Sequence, residues 1–167
     1  MKLNELVKGI REYRGVVRKG PITPIAKGLI PIQSEDVLAA YGEDAVGDVI
    51  TELRASVQQE LDAGVAGDRI VVDPGIGFSK RGAQSLAMLA QMRRFTTLGY
   101  PVLVGVSRKR FIGEITNAQT PADRDAGTAG ANVVALERGA RLFRVHDVKA
   151  SRDALDVAWA IMQTGPV

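Results

Sequence analysis

The amino-acid sequence predicts an α/β fold in which amphipathic helices alternate with short strands of a parallel sheet. Short apolar runs recur at residues 70–73 (IVVD), 101–105 (PVLVG) and 142–145 (LFRV), each bounded by Gly, Pro or charged residues. The segments between them repeat apolar residues every three or four positions, as on one face of a helix. The starts of the runs are far enough apart for strand–helix–strand crossovers, which need about 30 residues or more.

Composition limits the classes of protein to consider. The chain has 167 residues, of which 46% are hydrophobic and 25% charged, which suits one globular domain. It has no cysteine, which excludes disulfides and thiolate metal sites. A net charge of +3 with only 5% aromatic residues favours small anionic molecules over nucleic acid. The sequence contains no apolar stretch long enough for a membrane span, so we expect a soluble, cytoplasmic protein without a membrane partner.

Two helices are predicted before residue 100. The first follows an apolar stripe over residues 46–61 and stops at Gly64, where a left-handed residue can end a helix. The second follows a stripe over residues 86–95 and ends near Gly99.

Two more helices are predicted in the last third of the chain. One begins at Thr120, where a capping hydroxyl precedes Pro121 and an acid in the first turn, and it ends at Gly139. The other begins at Ser151 and runs to Met162.

Residues 1–43 are less regular than the rest of the chain. The stretch GPITPIAKGLIPIQ carries three prolines and is typical of a loop or a broken strand. We expect an irregular segment that belongs to the same domain as residues 44–167.

Polar residues follow all three predicted strands. Asp73 ends the first run, the Ser-Arg-Lys triplet at 107–109 follows the second, and Arg144 and His146 close the third. In parallel α/β folds the carboxyl ends of the strands meet at one edge, where ligands bind. The sequence therefore predicts a site that combines an acid with several cations.

The loop DPGIGFSK at residues 73–80 supports two interpretations. Asp73 before Pro-Gly is ordinary turn chemistry. Alternatively, its carboxylate accepts paired hydrogen bonds from the N–H groups of a planar heterocycle, and Gly75 and Gly77 let the backbone approach the ring. Phe78 is either a core residue or an exposed stacking face.

The basic residues also support two interpretations each. The run in GVSRKRFIGE is either a solvated face or an anion site where a helix begins. Arg144 and His146 lie two apart and face the same side of a strand. His146, the single histidine in the chain, is either structural or, with Arg144, binds an anion or handles protons.

The motifs DPGIGFSK, PVLVGVSRKRFIGE and GARLFRVHDV, in this order and at these separations, resemble the C-terminal half of dihydropteroate synthases from about residue 44 to the end. The resemblance implies a partial (β/α)8 TIM barrel with about three to four parallel strands and flanking helices. It implies a transferase of folate biosynthesis that joins 4-aminobenzoate to a dihydropterin diphosphate and releases diphosphate. This family is the target of sulfonamide drugs.

The resemblance also assigns roles on the pterin side of the site. It implies that Asp73 holds the amino and ring N–H groups of the pterin and that Phe78 lies beside the pocket. Gly105 and Lys109 would line the pterin site, with Lys109 reaching the incoming aminobenzoate.

The remaining roles concern the other substrate and the leaving group. The resemblance implies that Ser107 and Arg108 shape the aminobenzoate end, while Arg144 and His146 bind the departing diphosphate. Lys109, Arg144 and His146 would be the catalytic residues.

The resemblance leaves part of the family's machinery without a counterpart in this sequence. It implies Mg²⁺, whose asparagine ligand and accompanying N-terminal loops have no recognisable equivalent here. We therefore expect a truncated chain that dimerises or pairs with a complementing half, because half a closed sheet leaves two open edges. The alternatives are a pterin- and phosphate-binding remnant without activity, one part of a split enzyme, or a methyltransferase on a related barrel.

Overall fold

The protein is described by a computed structural model, which covers residues 44–77 and 82–165. Our predictions for residues 1–43 and for Phe78 lie outside these ranges. The helices and strands of the described residues are α1 (Ala45–Asp62), α2 (Gly82–Ala90), α3 (Met92–Thr96), β1 (Leu103–Val104), α4 (Arg110–Thr116), α5 (Asp125–Glu137), β2 (Leu142–Phe143) and α6 (Val148–Gln163). Short 3-10 turns occupy Gly67–Arg69 and Ala122–Arg124.

The three apolar runs lie side by side in chain order, and their pairing is parallel. Strand β2 pairs with β1, with Val104 opposite Phe143. On the other side of β1, Val72 forms a parallel bridge with Val102, and the Leu103 N–H donates to the carbonyl of Val72 at 2.8 Å. The parallel arrangement predicted from the sequence is confirmed, although the regular strands are only two residues long.

One face of the sheet is covered by the apolar faces of the helices. Val72, Val102, Val104 and Val106 are each at most 2% exposed, so the middle of the sheet lies in the core. The helices contribute further fully buried side chains, including Val46, Met88, Met92 and Phe95. Burial of alternating β-branched residues against helices is what fixes a short strand at this place.

The second predicted helix is divided in the structure. Helices α2 and α3 replace the single helix that the apolar stripe suggests, and the break falls at Gln91, whose φ and ψ are −106° and 22°. The Gln91 N–H still donates to the carbonyl of Ala87 at 2.9 Å, so the chain turns without leaving the core. No Pro or Gly marks this position, which is why the sequence did not predict the break.

The third predicted helix begins later than expected. Helix α5 begins at Asp125 rather than at Thr120, because residues 122–124 form a tighter 3-10 turn first. The hydroxyl of Thr120 donates to the carboxylate of Asp123 at 2.7 Å instead of capping a helix N–H group.

The last helix begins earlier than expected. Helix α6 starts at Val148 rather than at Ser151, because the carboxylate of Asp147 accepts the N–H of Ala150 at 3.0 Å and caps the helix. The capping residue follows His146 directly in the chain.

Arg141 contacts both helix α6 and the end of α5. The Arg141 guanidinium lies 5.2 Å from the centre of the Trp159 ring and donates to the carbonyls of Leu136 and Ala140 at 3.0 and 2.8 Å. Burial lowers the pKa of Arg141 below its usual value.

Among the described residues, no helix has the length and apolar character needed to cross a membrane.

The start of α1 is held by Asp44, whose ionised state we expect to affect stability at low pH. Its carboxylate accepts the N–H of Gly47 at 2.9 Å and two hydrogen bonds from Arg94, both at 2.9 Å. These contacts, led by the Arg94 hydrogen bonds, lower the pKa of Asp44 from 3.8 to about 2.

We therefore predict that Asp44→Asn destabilises the fold in a pH-dependent way. A lowered carboxyl pKa contributes stability above the ordinary value, and that stability is lost as the pH falls through the lowered value. The difference in melting temperature between wild type and Asp44→Asn should have its full size above about pH 4. It should become smaller as the pH falls towards about 2. A difference that stays constant over this range in calorimetric scans would contradict the prediction.

Candidate functional site

The candidate site lies where the three parallel runs end. Asp73 follows Val72, residues 105–109 follow β1, and Arg144 and His146 follow β2. Because Val104 pairs with Phe143, the next residues on the two strands, Gly105 and Arg144, are also neighbours. The expected convergence of the second and third strand ends is therefore present in the structure.

Asp73 uses one carboxylate oxygen in its own turn. Its Oδ1 accepts the N–H of Gly75 at 2.8 Å, and the residue is half-buried. Gly75 and Gly77 have φ values of 66° and 77°, a left-handed conformation that favours glycine. The turn interpretation is confirmed for this oxygen, and recognition of a heterocycle by the same carboxylate stays a prediction.

Gly77 leaves room for the side chain of Lys109. A Cβ atom at position 77 would lie 2.9 Å from Cδ and 3.2 Å from Cγ of Lys109. The lysine stem therefore lies directly against the backbone of the loop that follows Asp73. Lys109 precedes α4 in an extended conformation, with φ −62° and ψ 153°, and is half-buried.

Gly105 leaves room for the guanidinium of Arg144. A Cβ atom at position 105 would lie 2.8 Å from Nη2 and 3.2 Å from Nε of Arg144. The Arg144 N–H donates to the carbonyl of Val104 at 3.0 Å, so its backbone is fixed by the sheet while its side chain folds over the neighbouring strand. Gly105 is buried and Arg144 is exposed, which leaves the guanidinium at the surface of the site.

Ser107 and His146 join the second and third strand ends directly. The Ser107 hydroxyl oxygen lies 2.8 Å from Nδ1 of His146 and accepts the backbone N–H of His146 at 3.1 Å. Ser107 is 8% exposed, whereas His146 is exposed. A buried hydroxyl thus holds an exposed imidazole at both its ring and its backbone.

Arg108 is fixed by a carboxylate at the start of α5. Its Nε and Nη2 atoms donate to the two carboxylate oxygens of Asp125 at 2.8 and 2.7 Å. This pairing is bidentate, and its hydrogen bonds are the main cause that lowers the pKa of Asp125, with the nearby His146 adding to it. The hydrogen bonds from Asp125 likewise raise the pKa of Arg108.

The backbone of Arg108 is held as firmly as its side chain. Its φ is 59°, the left-handed region that non-glycine residues seldom adopt. The Arg108 N–H donates to the Thr128 hydroxyl at 3.1 Å, and Arg124 donates to the Arg108 carbonyl at 3.1 Å. Three residues around the start of α5 therefore set the turn that places Ser107 and Lys109, namely Arg124, Asp125 and Thr128.

Sequence reasoning missed these three supporting residues. They lie within the segment that the sequence assigned to a helix, and acids, arginines and threonines in a first helical turn are common. Their partner is 16–20 residues away in the chain, so spacing alone carries no signal for the pairing.

The basic run is less available for an anion than its composition suggests. Arg110 is 90% exposed at its side chain and pairs with Glu114 at 2.7 Å along α4, while Arg108 pairs with Asp125. Within residues 44–77 and 82–165, no group of three or more His, Asp or Glu side chains could hold a metal ion.

Comparison with known proteins gives a consistent result. Residues 30–146 match the family described as pterin binding enzyme. The chain is 42% identical over 118 residues to the dihydropteroate synthase of Neisseria meningitidis serogroup C and 41% identical over 128 residues to that of Mycobacterium leprae. These matches cover 70% and 74% of this chain but 41% and 45% of the relatives.

Solved structures show the same relation. The dihydropteroate synthase of Xanthomonas albilineans in complex with 7,8-dihydropteroate is 43% identical, with a TM-score of 0.72 over 77% of this chain and 48% of that one. The enzyme of Thermus thermophilus in complex with 6HMPPP is 41% identical, with a TM-score of 0.71 over 79% of this chain and 53% of that one. The chain thus spans about half the length of the proteins that it matches.

Proposed function

This chain belongs to the pterin binding enzyme family, and from that premise we propose that it forms the C-terminal part of the active site of a dihydropteroate synthase. The reaction joins 4-aminobenzoate to a dihydropterin diphosphate, giving dihydropteroate and diphosphate. The observation that carries the proposal is the pairing of two strand ends, with Arg144 folded over Gly105 and His146 held by Ser107. Such a pair of donors suits an anionic leaving group.

The proposed chemistry is a displacement at carbon. The amine nitrogen of 4-aminobenzoate attacks the methylene carbon that carries the diphosphate, the bond from that carbon to the diphosphate oxygen breaks, and the nitrogen releases one proton to water. Negative charge grows on the leaving oxygen as this happens. A guanidinium and an imidazole fixed next to that oxygen stabilise the transition state more than the ground state, which is the requirement for catalysis.

We assign the other substrate contacts by position. Asp73 accepts the N–H groups of the pterin, and for Phe78, which lies outside the described residues, the resemblance alone implies a place beside the pocket. Lys109, which lies against Gly77, contacts the pterin and the incoming amine, and Gly105 lines the pterin site. For Ser107 and Arg108, the resemblance points to the aminobenzoate end, and the bidentate pairing of the Arg108 side chain with Asp125 favours an indirect role there.

We also propose a partial (β/α)8 barrel, a cytoplasmic location and association with a second chain. The barrel and the association are supported by the parallel order of the Val72 segment, β1 and β2, in which the two outer segments have no further strand beside them within the described residues. A second copy or a complementing half would cover these edges. Sedimentation analysis of the purified chain should show a species larger than 17.9 kDa.

The proposal is tested by diphosphate affinity in a pair of glycine variants. In Gly105→Ala, the new methyl group would displace the Arg144 guanidinium, whose nearest atom is 2.8 Å away. Because the structure shows no left-handed φ at Gly105 and the guanidinium is the end of a flexible side chain, the fold should remain intact. Hydrogen bonds to charged groups are worth about 1.5–3 kcal/mol, so titration calorimetry with inorganic diphosphate should show roughly tenfold or greater weakening.

Gly67→Ala is the matched control. Its new methyl group would meet no atom closer than 3.8 Å, and the residue lies outside the site. This variant should bind diphosphate like the wild type. Equal affinities for the wild type and Gly105→Ala, or no diphosphate binding by the wild type, would contradict the proposed function.

A further inference from the structure

The Ser107 hydroxyl has few ways to satisfy its hydrogen-bonding groups. A serine hydroxyl carries one hydrogen and two acceptor lone pairs. The backbone N–H of His146 can only donate, so the contact at 3.1 Å occupies one lone pair of Ser107. The hydrogen and the second lone pair are left for Nδ1 of His146, which lies 2.8 Å away.

The burial of Ser107 decides between the two tautomers of a neutral His146. If Nδ1 carried the proton, it would donate to Ser107, and the serine hydrogen would need another acceptor. Ser107 is 8% exposed, and among the described residues its hydroxyl contacts nothing besides His146. Leaving a buried hydroxyl hydrogen unsatisfied is unfavourable, so the serine donates to a bare Nδ1.

We propose that Ser107 is a positioning residue that fixes His146 as the Nε2–H tautomer and directs this N–H outward as a hydrogen-bond donor. The ring belongs to an exposed residue, while its Nδ1 edge faces the buried hydroxyl. The donor role towards diphosphate rests on the proposed function. Ser107 thereby acts at the diphosphate end of the site, through the histidine, and Arg144 supplies the positive charge beside it.

The sequence makes this inference directly measurable. The chain has one histidine, so ¹⁵N-labelled histidine in the untagged full chain gives one pair of ring signals. At about pH 9, imidazole groups are ordinarily neutral, and the shifts of the two ring nitrogens report the tautomer. We expect the wild type to show a bare Nδ1 and a protonated Nε2, with a smaller Nδ1–H fraction than N-acetylhistidine in the same buffer.

Two serine variants complete the test. In Ser107→Ala, the tautomer ratio should shift to that of N-acetylhistidine, whereas Ser107→Thr, which keeps the hydroxyl, should retain the wild-type ratio. A wild-type ratio equal to that of N-acetylhistidine, or an Nδ1–H majority, would overturn the inference without any need for a folded variant. An unchanged ratio in a folded Ser107→Ala would overturn it as well.

Addition of inorganic diphosphate separates this inference from the proposed function. We expect the Nε2 signal of the wild type to shift as diphosphate binds. If the wild type shows the expected tautomer but its Nε2 signal does not shift with diphosphate, the proposed function and the donor role are contradicted. The serine–histidine assignment then still stands. If the Nε2 signal shifts with diphosphate but the tautomer ratio equals that of N-acetylhistidine, only the serine–histidine assignment is overturned.

Discussion

The 167-residue chain alone is expected to release no diphosphate from a dihydropterin diphosphate in the presence of 4-aminobenzoate. The relatives that it matches are about twice as long, and the chain covers 41–46% of the first of them. The described residues place an acid and cations at three strand ends, but in the barrel that we propose the active site would draw its loops from all the strands. Loss of the remaining loops should reduce turnover by many orders of magnitude, because substrate orientation and transition-state stabilisation both depend on them.

The measurement is release of diphosphate in a coupled assay, with the dihydropteroate synthase of Xanthomonas albilineans as the positive control. Sustained turnover by the chain alone would show that the part of the relatives that it does not cover is dispensable. Adding the N-terminal half of a relative as a separate polypeptide distinguishes the remaining alternatives. Recovered activity would favour one part of a split enzyme, and continued inactivity with intact diphosphate binding would favour a binding remnant.

Replacement of Asp73 is expected to weaken pterin binding, and two variants separate its two roles. Asp73→Asn keeps the oxygen that accepts the Gly75 N–H at 2.8 Å, so the turn should persist. It loses the charge and one of the two acceptors that a pterin would use. At about 1.5–3 kcal/mol for each charged hydrogen bond, affinity should fall roughly 10- to 150-fold.

Asp73→Ala removes the turn contact as well, so it should lose both pterin binding and some thermal stability. Fluorescence titration of a pterin measures the first effect and calorimetric melting the second. Asp68→Asn, an exposed acid in the 3-10 turn Gly67–Arg69, is the control and should change neither. Wild-type affinity in Asp73→Asn would show that the carboxylate serves the turn alone.

The parallel sheet could be predicted because its signal is strong. Apolar runs such as PVLVG have few alternative uses in a small domain, and the structure buries Val102 and Val104 almost completely. Helix ends were less predictable, because they depend on contacts rather than on residue types. Asp147 caps α6 with its own side chain, whereas the hydroxyl of Thr120 is used by Asp123.

The sequence suggests residues for the candidate site but not the contacts between them. Position after a strand is sufficient to suggest Asp73, Arg144 and His146, since parallel strands end at one edge. That Ser107 contacts His146 depends on a separation of 39 residues and on the register of β1 and β2. Such a contact follows from three-dimensional pairing, which no local pattern encodes.

The ion pairs of Arg108 and Arg110 reduce the long-range electrostatic attraction of an anion to the strand ends. The positive charge of Arg108 is balanced by the carboxylate of Asp125, and that of Arg110 by the carboxylate of Glu114. The long-range potential at the strand ends is therefore weaker than three consecutive basic residues imply, and electrostatic steering contributes less to the association rate. Diphosphate binding should accordingly depend only modestly on ionic strength, with short-range geometry setting the selectivity.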